Sequence, residues 1–253
     1  MTKQIIIGHI LTISRPFDVI KQLAKRIFPE YSTGRMLVSI LAARPLAFPM
    51  TLLQSLYSTW RLTGRFLPFR CVVFPDISLK ITKAKSAHAN LAGRIIVRPC
   101  LGSGVARLVL SDKSKFSLLG DFEIGQGVTI SLSGGAALVV GGRHASSGSG
   151  ITADTLVMIE KQMHIGKDVI VAWGCTITDS DWHEIVGAER AIPTRIGDQV
   201  WVAHGVSILK GADIPRGCVV AARSVVGARS FPECSLIAGT PAVVKREGVI
   251  WKR

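Results

Sequence analysis

A chain of 253 residues suits one large domain, or one domain with an appendage. Hydrophobic residues make up 48% and aromatics only 6%, so any core is filled by aliphatic side chains. Five cysteines without a C-x-x-C pair exclude a disulfide framework, and the net charge of +14 comes with no nucleic-acid reading motif, so nucleic acid is not an expected partner.

Residues 1–70 read as a helical, basic and apolar segment. Phe17, Ile20, Leu23 and Ile27 recur at helical spacing between Pro16 and Phe28, and a further helix is expected near Leu46 to Trp60. Ten Lys/Arg stand against two acids, Asp18 and Glu30, among the apolar runs Ile5–Ile7, Met36–Ala43 and Leu46–Leu56. Two readings stand for this mixture. One is peripheral contact with an anionic membrane surface. The other is a set of helices capping the domain that follows, with their cations in water. Arg44, Pro45 and Pro49 interrupt every window of about twenty residues, so a spanning helix is not expected. No basic start, apolar run and small-residue cleavage site opens the chain, so a reducing, cytoplasmic location is expected, with or without contact to the inner face of the membrane.

Past Cys71 the texture changes to short apolar strands separated by glycine and polar turns. They include Cys71–Phe74, Ile95–Val97, Leu108–Leu110, Phe116–Leu118, Val128–Ile130 and Leu138–Val140. A six-residue beat then sets in: Ala153, Ile159, Ile165, Val171 and Ile177, with Val169 and Cys175 at a second, small position. A later run keeps the same beat through Ile196, Val202, Ile208, Ile214, Val220 and Val226. Its small positions are Val200, Val206, Ala212, Cys218, Ser224 and Ser230. Six fits neither a helix nor an isolated strand; it predicts a β-solenoid whose short strands form the flat sides of a coil. Three hexapeptides close a triangular coil, so Ile196 should stack on Ile214, Val202 on Val220 and Ile208 on Val226. The solenoid is expected to span 71–242, with 243–253 as a tail.

The two runs are out of phase, because nineteen residues separate Ile177 from Ile196. Had the coil continued, His183 would point inward among Asp179, Asp181 and Glu184, and an unpaired imidazole there carries a desolvation cost of a few kcal/mol. The chain must leave the coil near Thr178, project as a loop over 178–195, and re-enter at Arg195-Ile196. Loops on rigid scaffolds are where chemistry tends to be placed.

These residues resemble the hexapeptide-repeat acyltransferases, and most of all the O-acetyltransferases of bacterial surface polysaccharides. The resemblance is carried by Ile196 to Gly211, by Ala238-Gly-Thr-Pro-Ala-Val-Val-Lys-Arg246 and by Thr178 to His183. It is strong over 151–253, weaker over 71–150 and absent from 1–70. It implies a mainly β fold, a left-handed parallel β-helix with an N-terminal helical segment. It also implies a homotrimer with active sites between subunits, and transfer of acetyl from acetyl-CoA to a sugar hydroxyl; the basic, apolar residues 1–70 add the expectation of an acceptor held at the membrane, such as a lipid-linked glycan. N-acetylation of an amino-sugar nucleotide and a non-catalytic scaffold are the competing readings.

The resemblance makes His183 the candidate general base, with Asp179 or Asp181 orienting its ring. Glu184 follows the histidine where such relatives often have proline. Trp182, Trp201 and His204 are the candidate acceptor contacts. Ala203, Ala221 and Ala222 match the small residues that line a CoA groove, with Arg223, Lys245 and Arg246 as candidate phosphate partners. No metal is expected: Asp179-x-Asp181 is a poor pair, and His144, His164, His183 and His204 lack the spacing of the zinc hydratases that share this fold.

Overall fold

The computed structural model describes residue 27 and residues 32–143 and 148–252. Apart from Ile27, the helix expected over 16–28 lies outside the described residues, as does His144. Two compact units are present, 1–49 and 50–253. In the first, helix α1 (Thr33–Ala43) starts at Ser32, whose hydroxyl accepts the Arg35 N–H at 3.2 Å, and buries Met36, Ile40 and Ala42.

The second unit carries three sheets, parallel but for the last pair of one, and successive strands fall on each side in turn as far as Val225–Val226. Sheet A has nine strands, from Cys71–Val73 to Ala242–Arg246. Sheet B has seven, from Leu79–Lys83 to Val225–Val226, and sheet C six, from His88–Leu91 to Asp213–Ile214. This is the mainly β, triangular parallel β-helix expected from the beat. Ile196 pairs with Ile214, Val202 with Val220 and Ile208 with Val226, all three as the spacing required. These six side chains are fully buried, and with their counterparts in earlier coils they form one continuous core.

One part of the beat is corrected. Ile151 and Val157, not Ala153 and Ile159, pair with Val171 and Ile177. That coil holds two extra residues between Val157 and Ile165, and the even count from Ala153 crosses the surplus unnoticed. Ala153 and Ile159 are nonetheless buried.

At the corner between sheets C and A, glycines stack from coil to coil. A Cβ on Gly93 would lie 2.1 Å from the carbonyl carbon of Gly120; one on Gly141 would lie 2.7 Å from that of Gly166; one on Gly166, 2.6 Å from that of Gly197. Only hydrogen leaves room for the coils to approach this closely. Carboxylates tie coils together at the corners. Asp121 accepts the Arg94 N–H at 3.0 Å, Asp154 that of Ser103 at 3.2 Å, and Asp198 that of Lys167 at 2.7 Å.

The solenoid's first strand has an open edge, and α2 (Phe48–Thr63) covers it. Ser55 Oγ accepts the Val73 N–H at 2.9 Å, and Thr59 Oγ1 accepts the Cys71 N–H at 3.0 Å. Both hydroxyls also donate back to carbonyls four residues earlier in the helix. A polar helix face thus satisfies edge groups that would otherwise be buried unpaired. Ser58 differs: its Oγ is buried with no hydrogen-bond partner among the described residues. Ser55→Ala is therefore expected to lower stability by about 1–3 kcal/mol, and Ser58→Ala to leave it unchanged or raise it, as read by thermal and denaturant melts.

At the far end the expected tail is in fact a strand. Ala242–Arg246 turns back antiparallel on Leu236–Gly239, and the chain then returns along sheet A to set Trp251 against Trp201.

Candidate active site

The interruption falls where the phase break placed it. Thr176–Thr178 and Thr194–Ile196 are the strands on either side. Ile165 pairs with Ile196 across 31 residues, where a regular coil such as Ile196 to Ile214 takes 18. The surplus of thirteen is two hexapeptides and one residue, which is the origin of the slip. The loop has a stem: Ser180 and Ala191 form an antiparallel bridge, Asp181 N–H donates to Arg190 O, and Ile192 N–H donates to Asp179 O. From Asp181 to Arg190 every residue is exposed, His183 included.

Two lysines from the neighbouring coils hold this loop from either side. Lys161 Nζ lies 2.8 Å from Glu189 Oε1, and Lys210 Nζ lies 2.5 Å from Asp181 Oδ2 and donates to Glu189 O. The hydrogen bond and ion pair with Lys161 hold the Glu189 carboxyl below its usual range. Glu160 adds partners at the base, accepting from the Ser180 hydroxyl and the Arg190 guanidinium.

The structure brings neither aspartate to the imidazole. Asp179 is fully buried, and its two oxygens accept the N–H groups of Glu160 at 2.7 Å, Lys161 at 2.9 Å and Gln162 at 2.6 Å. It is a coil-to-coil tie of the same kind as Asp121, Asp154 and Asp198. Asp181 is paired with Lys210. His183 has no hydrogen-bond, ion-pair or ring partner among the described residues, so none of these supplies the expected orienting carboxylate. Trp182 stands beside it in a left-handed conformation, φ 63°, with its N–H on Ser180 Oγ at 2.9 Å.

The other candidates divide between two places. Ala203, Ala221, Ala222 and Arg223 share the corner between sheets A and B, as does His204. The His204 ring stacks on Trp173 at 5.3 Å and 13°. Trp173, 46% exposed, was not singled out from the sequence: its partner lies one coil away, and periodicity marks inward positions only. At the same corner Cys175 is no nucleophile, since burial raises its thiol and the S–H points at Ala203 O, 3.3 Å away. Lys245 and Arg246 lie elsewhere. The hairpin turn at Gly239, held by Ser224 Oγ at 3.1 Å, sits at the A–B corner, but Arg246 pairs with Leu236 at the opposite side of sheet A. Leu236 is three residues from Gly239, so at about 3.4 Å per residue Arg246 lies roughly 10 Å from that corner. Trp201 lies on the outer face of sheet A, 6.0 Å from Trp251, and these rings with Ile170 and Lys252 line a cleft of about 190 Å³.

Among the described residues no three potential ligands cluster around a metal position. His164 is on the outer face of sheet C, where burial and the Arg195 charge lower its pKa, while His183 and His204 are at different corners.

No family model matches the chain. Among curated proteins it is similar to Rv3034c of Mycobacterium tuberculosis (strain ATCC 25618 / H37Rv), named as an acetyltransferase, at 33% identity over 39% of this chain and 35% of that one. It is also similar to WbbJ of Escherichia coli (strain K12), whose name assigns it to O-acetyl transfer in lipopolysaccharide biosynthesis. There the identity is 34% over 35% of this chain and 54% of that one. The chain thus spans about a third to a half of these relatives. Among solved structures it is similar to the polysialic acid O-acetyltransferase OatWY, at 26% identity and a TM-score of 0.48, over 69% of this chain and 88% of that one. In its hexapeptide coils and in these curated relatives, the chain is similar to the hexapeptide-repeat acyltransferases.

Proposed function

We propose that this protein transfers acetyl from acetyl-CoA to a sugar hydroxyl of a surface glycan or its lipid-linked precursor, with His183 as general base. The observation that carries the reading is the loop: the coil is broken at one corner, and there an unpartnered, exposed imidazole is held out on a stem fixed by Lys161 and Lys210. In the reaction the acceptor oxygen attacks the thioester carbonyl while its proton passes to the neutral imidazole. A backbone N–H steadies the oxyanion. Collapse breaks the C–S bond, and the CoA thiolate takes the proton back from the imidazolium. No covalent enzyme intermediate is required.

The small column Ala203, Ala221 and Ala222 leaves space along the A–B corner for a pantetheine arm, with Arg223 exposed beside it for a phosphate. Lys245 and Arg246 are too far across sheet A to act on that same phosphate within one subunit, so their contacts belong to another part of the donor or to a neighbour. A homotrimer brings a second chain to the His183 loop and gives the ring the partner that Asp179 and Asp181 do not. Trp182 and the Trp173–His204 pair offer flat faces to a sugar.

The test is release of free CoA from acetyl-CoA across sugars, sugar nucleotides and lipid-linked glycans. Release dependent on a hydroxyl acceptor is expected. Faster release with amino-sugar nucleotides would move the assignment to N-acetylation, and absence of both release and CoA binding would leave an assembly scaffold.

A further inference from the structure

Helix α2 is inside out. The residues it buries are Thr51, Ser55, Ser58, Thr59 and Leu62. Those it exposes include Met50 (71%), Leu53 (62%), Tyr57 (55%) and Trp60 (41%). At about 100° per residue these four lie within an arc of about 80°, and its centre is about 170° from the centre of the buried face. The apolar stripe therefore points directly away from the solenoid. It continues into Phe66 and Leu67, both more than half exposed. The Trp60 ring stacks with Phe66 at 6.1 Å and 12°, and Tyr57 lies 6.1 Å from Trp60.

The buried side explains only itself: hydroxyls are needed there to close the edge of the first coil. Nothing in that task calls for two aromatic rings and two long aliphatic chains on the opposite side. A contiguous exposed apolar surface of this kind marks an interaction site. Its chemistry narrows the partner. Between Phe48 and Arg70 there are three arginines, Arg61, Arg65 and Arg70, and no acid. Arg61 flanks the stripe, about 20° from Met50 on the helical wheel. Tyrosine and tryptophan, with an apolar body and a polar tip, favour the boundary between headgroups and acyl chains. No described helix is long and apolar enough to cross a membrane.

We propose that the outer face of α2, with Phe66 and Leu67, lies in the surface of a membrane containing anionic lipid, and that Arg61 and Arg65 contact its headgroups. The solenoid is then held at the bilayer by its own end cap. Binding is read without turnover, so this inference stands or falls separately from acetyl transfer.

The experiment is co-sedimentation of the full chain with vesicles of phosphatidylcholine mixed with phosphatidylglycerol, and with vesicles of phosphatidylcholine alone. The full chain is expected to partition preferentially onto the anionic vesicles. The exposed-face variant Leu53→Ser/Tyr57→Ser/Trp60→Ser should lower partitioning at least about tenfold, with the melting temperature and the oligomer size unchanged. Arg61→Gln/Arg65→Gln should remove most of the preference for anionic lipid, by roughly fivefold per arginine. Residues 1–31 are present in every sample, so the comparison isolates this face. Three results would overturn the proposal: no vesicle binding by the full chain, equal binding by the triple variant, or a triple variant whose main change is dissociation of an oligomer, which would make the face a contact between copies.

Discussion

His183→Ala is expected to lower acetyl transfer by about 10²–10⁴-fold while leaving the melting temperature where it was. The two halves of this result follow from one observation: the imidazole is exposed and has no partner among the described residues, so no fold contact is lost with it. Rate measured by CoA release, together with a thermal melt, checks both. If the variant keeps full activity the base lies elsewhere, and if it melts early the histidine serves the structure after all. A useful control is Asp181→Ala. It breaks a partly exposed pair with Lys210, for which under about 1 kcal/mol is expected, and it should act on the rate only through the set of the loop.

Asp179→Ala is expected to have the largest effect on stability of any single change in the loop region. Three backbone N–H groups, those of Glu160, Lys161 and Gln162, converge on this one buried carboxylate. Removing it leaves them without acceptors, a loss on the order of 3 kcal/mol or more. The turn they belong to carries Lys161, one of the two lysines holding the loop, so acetyl transfer should fall as well. The order of loss separates this from a catalytic role. Denaturant melts should show the destabilisation whether or not acetyl-CoA is present, and activity per folded molecule should be reduced less than in His183→Ala. Asp179→Asn is intermediate, because an amide keeps one acceptor oxygen but turns an N–H₂ toward donors.

The contrast between these two residues shows what the sequence could reveal. The beat over 196–226 marks inward side chains directly, since burial in a solenoid repeats with the chain, and there the register was legible residue by residue. The loop was legible for the same reason, as a failure of that repeat. The role of Asp179 was not. Its partners lie 17 to 19 residues earlier, one coil away, and are backbone groups that leave no mark on composition. Proximity in sequence suggested an aspartate for His183, whereas geometry gave it to the neighbouring coil. Trp173 escaped notice for a related reason: it is an outward residue at a corner, brought to His204 only by stacking. In α2 the helix was expected from its apolar run, yet the side that faces the solenoid is the one with hydroxyls, because an open strand edge needs acceptors more than it needs aliphatic contact.

A parallel β-helix is by construction an unfinished filament, since each coil offers the next an identical template and nothing internal says when to stop. Here the first coil meets the hydroxyls of a helix, and the last meets a strand running the wrong way, with Lys245 and Arg246 exposed upon it. Among the described residues of sheet A, a second molecule finds no free parallel edge at one end, and a reversed, cationic one at the other. One side of the coil is thereby stopped at both ends in a fold that supplies no stop of its own. Along sheet A, stacking end to end, where fibres would grow, is thereby blocked, and contact side by side, where rings close, is not.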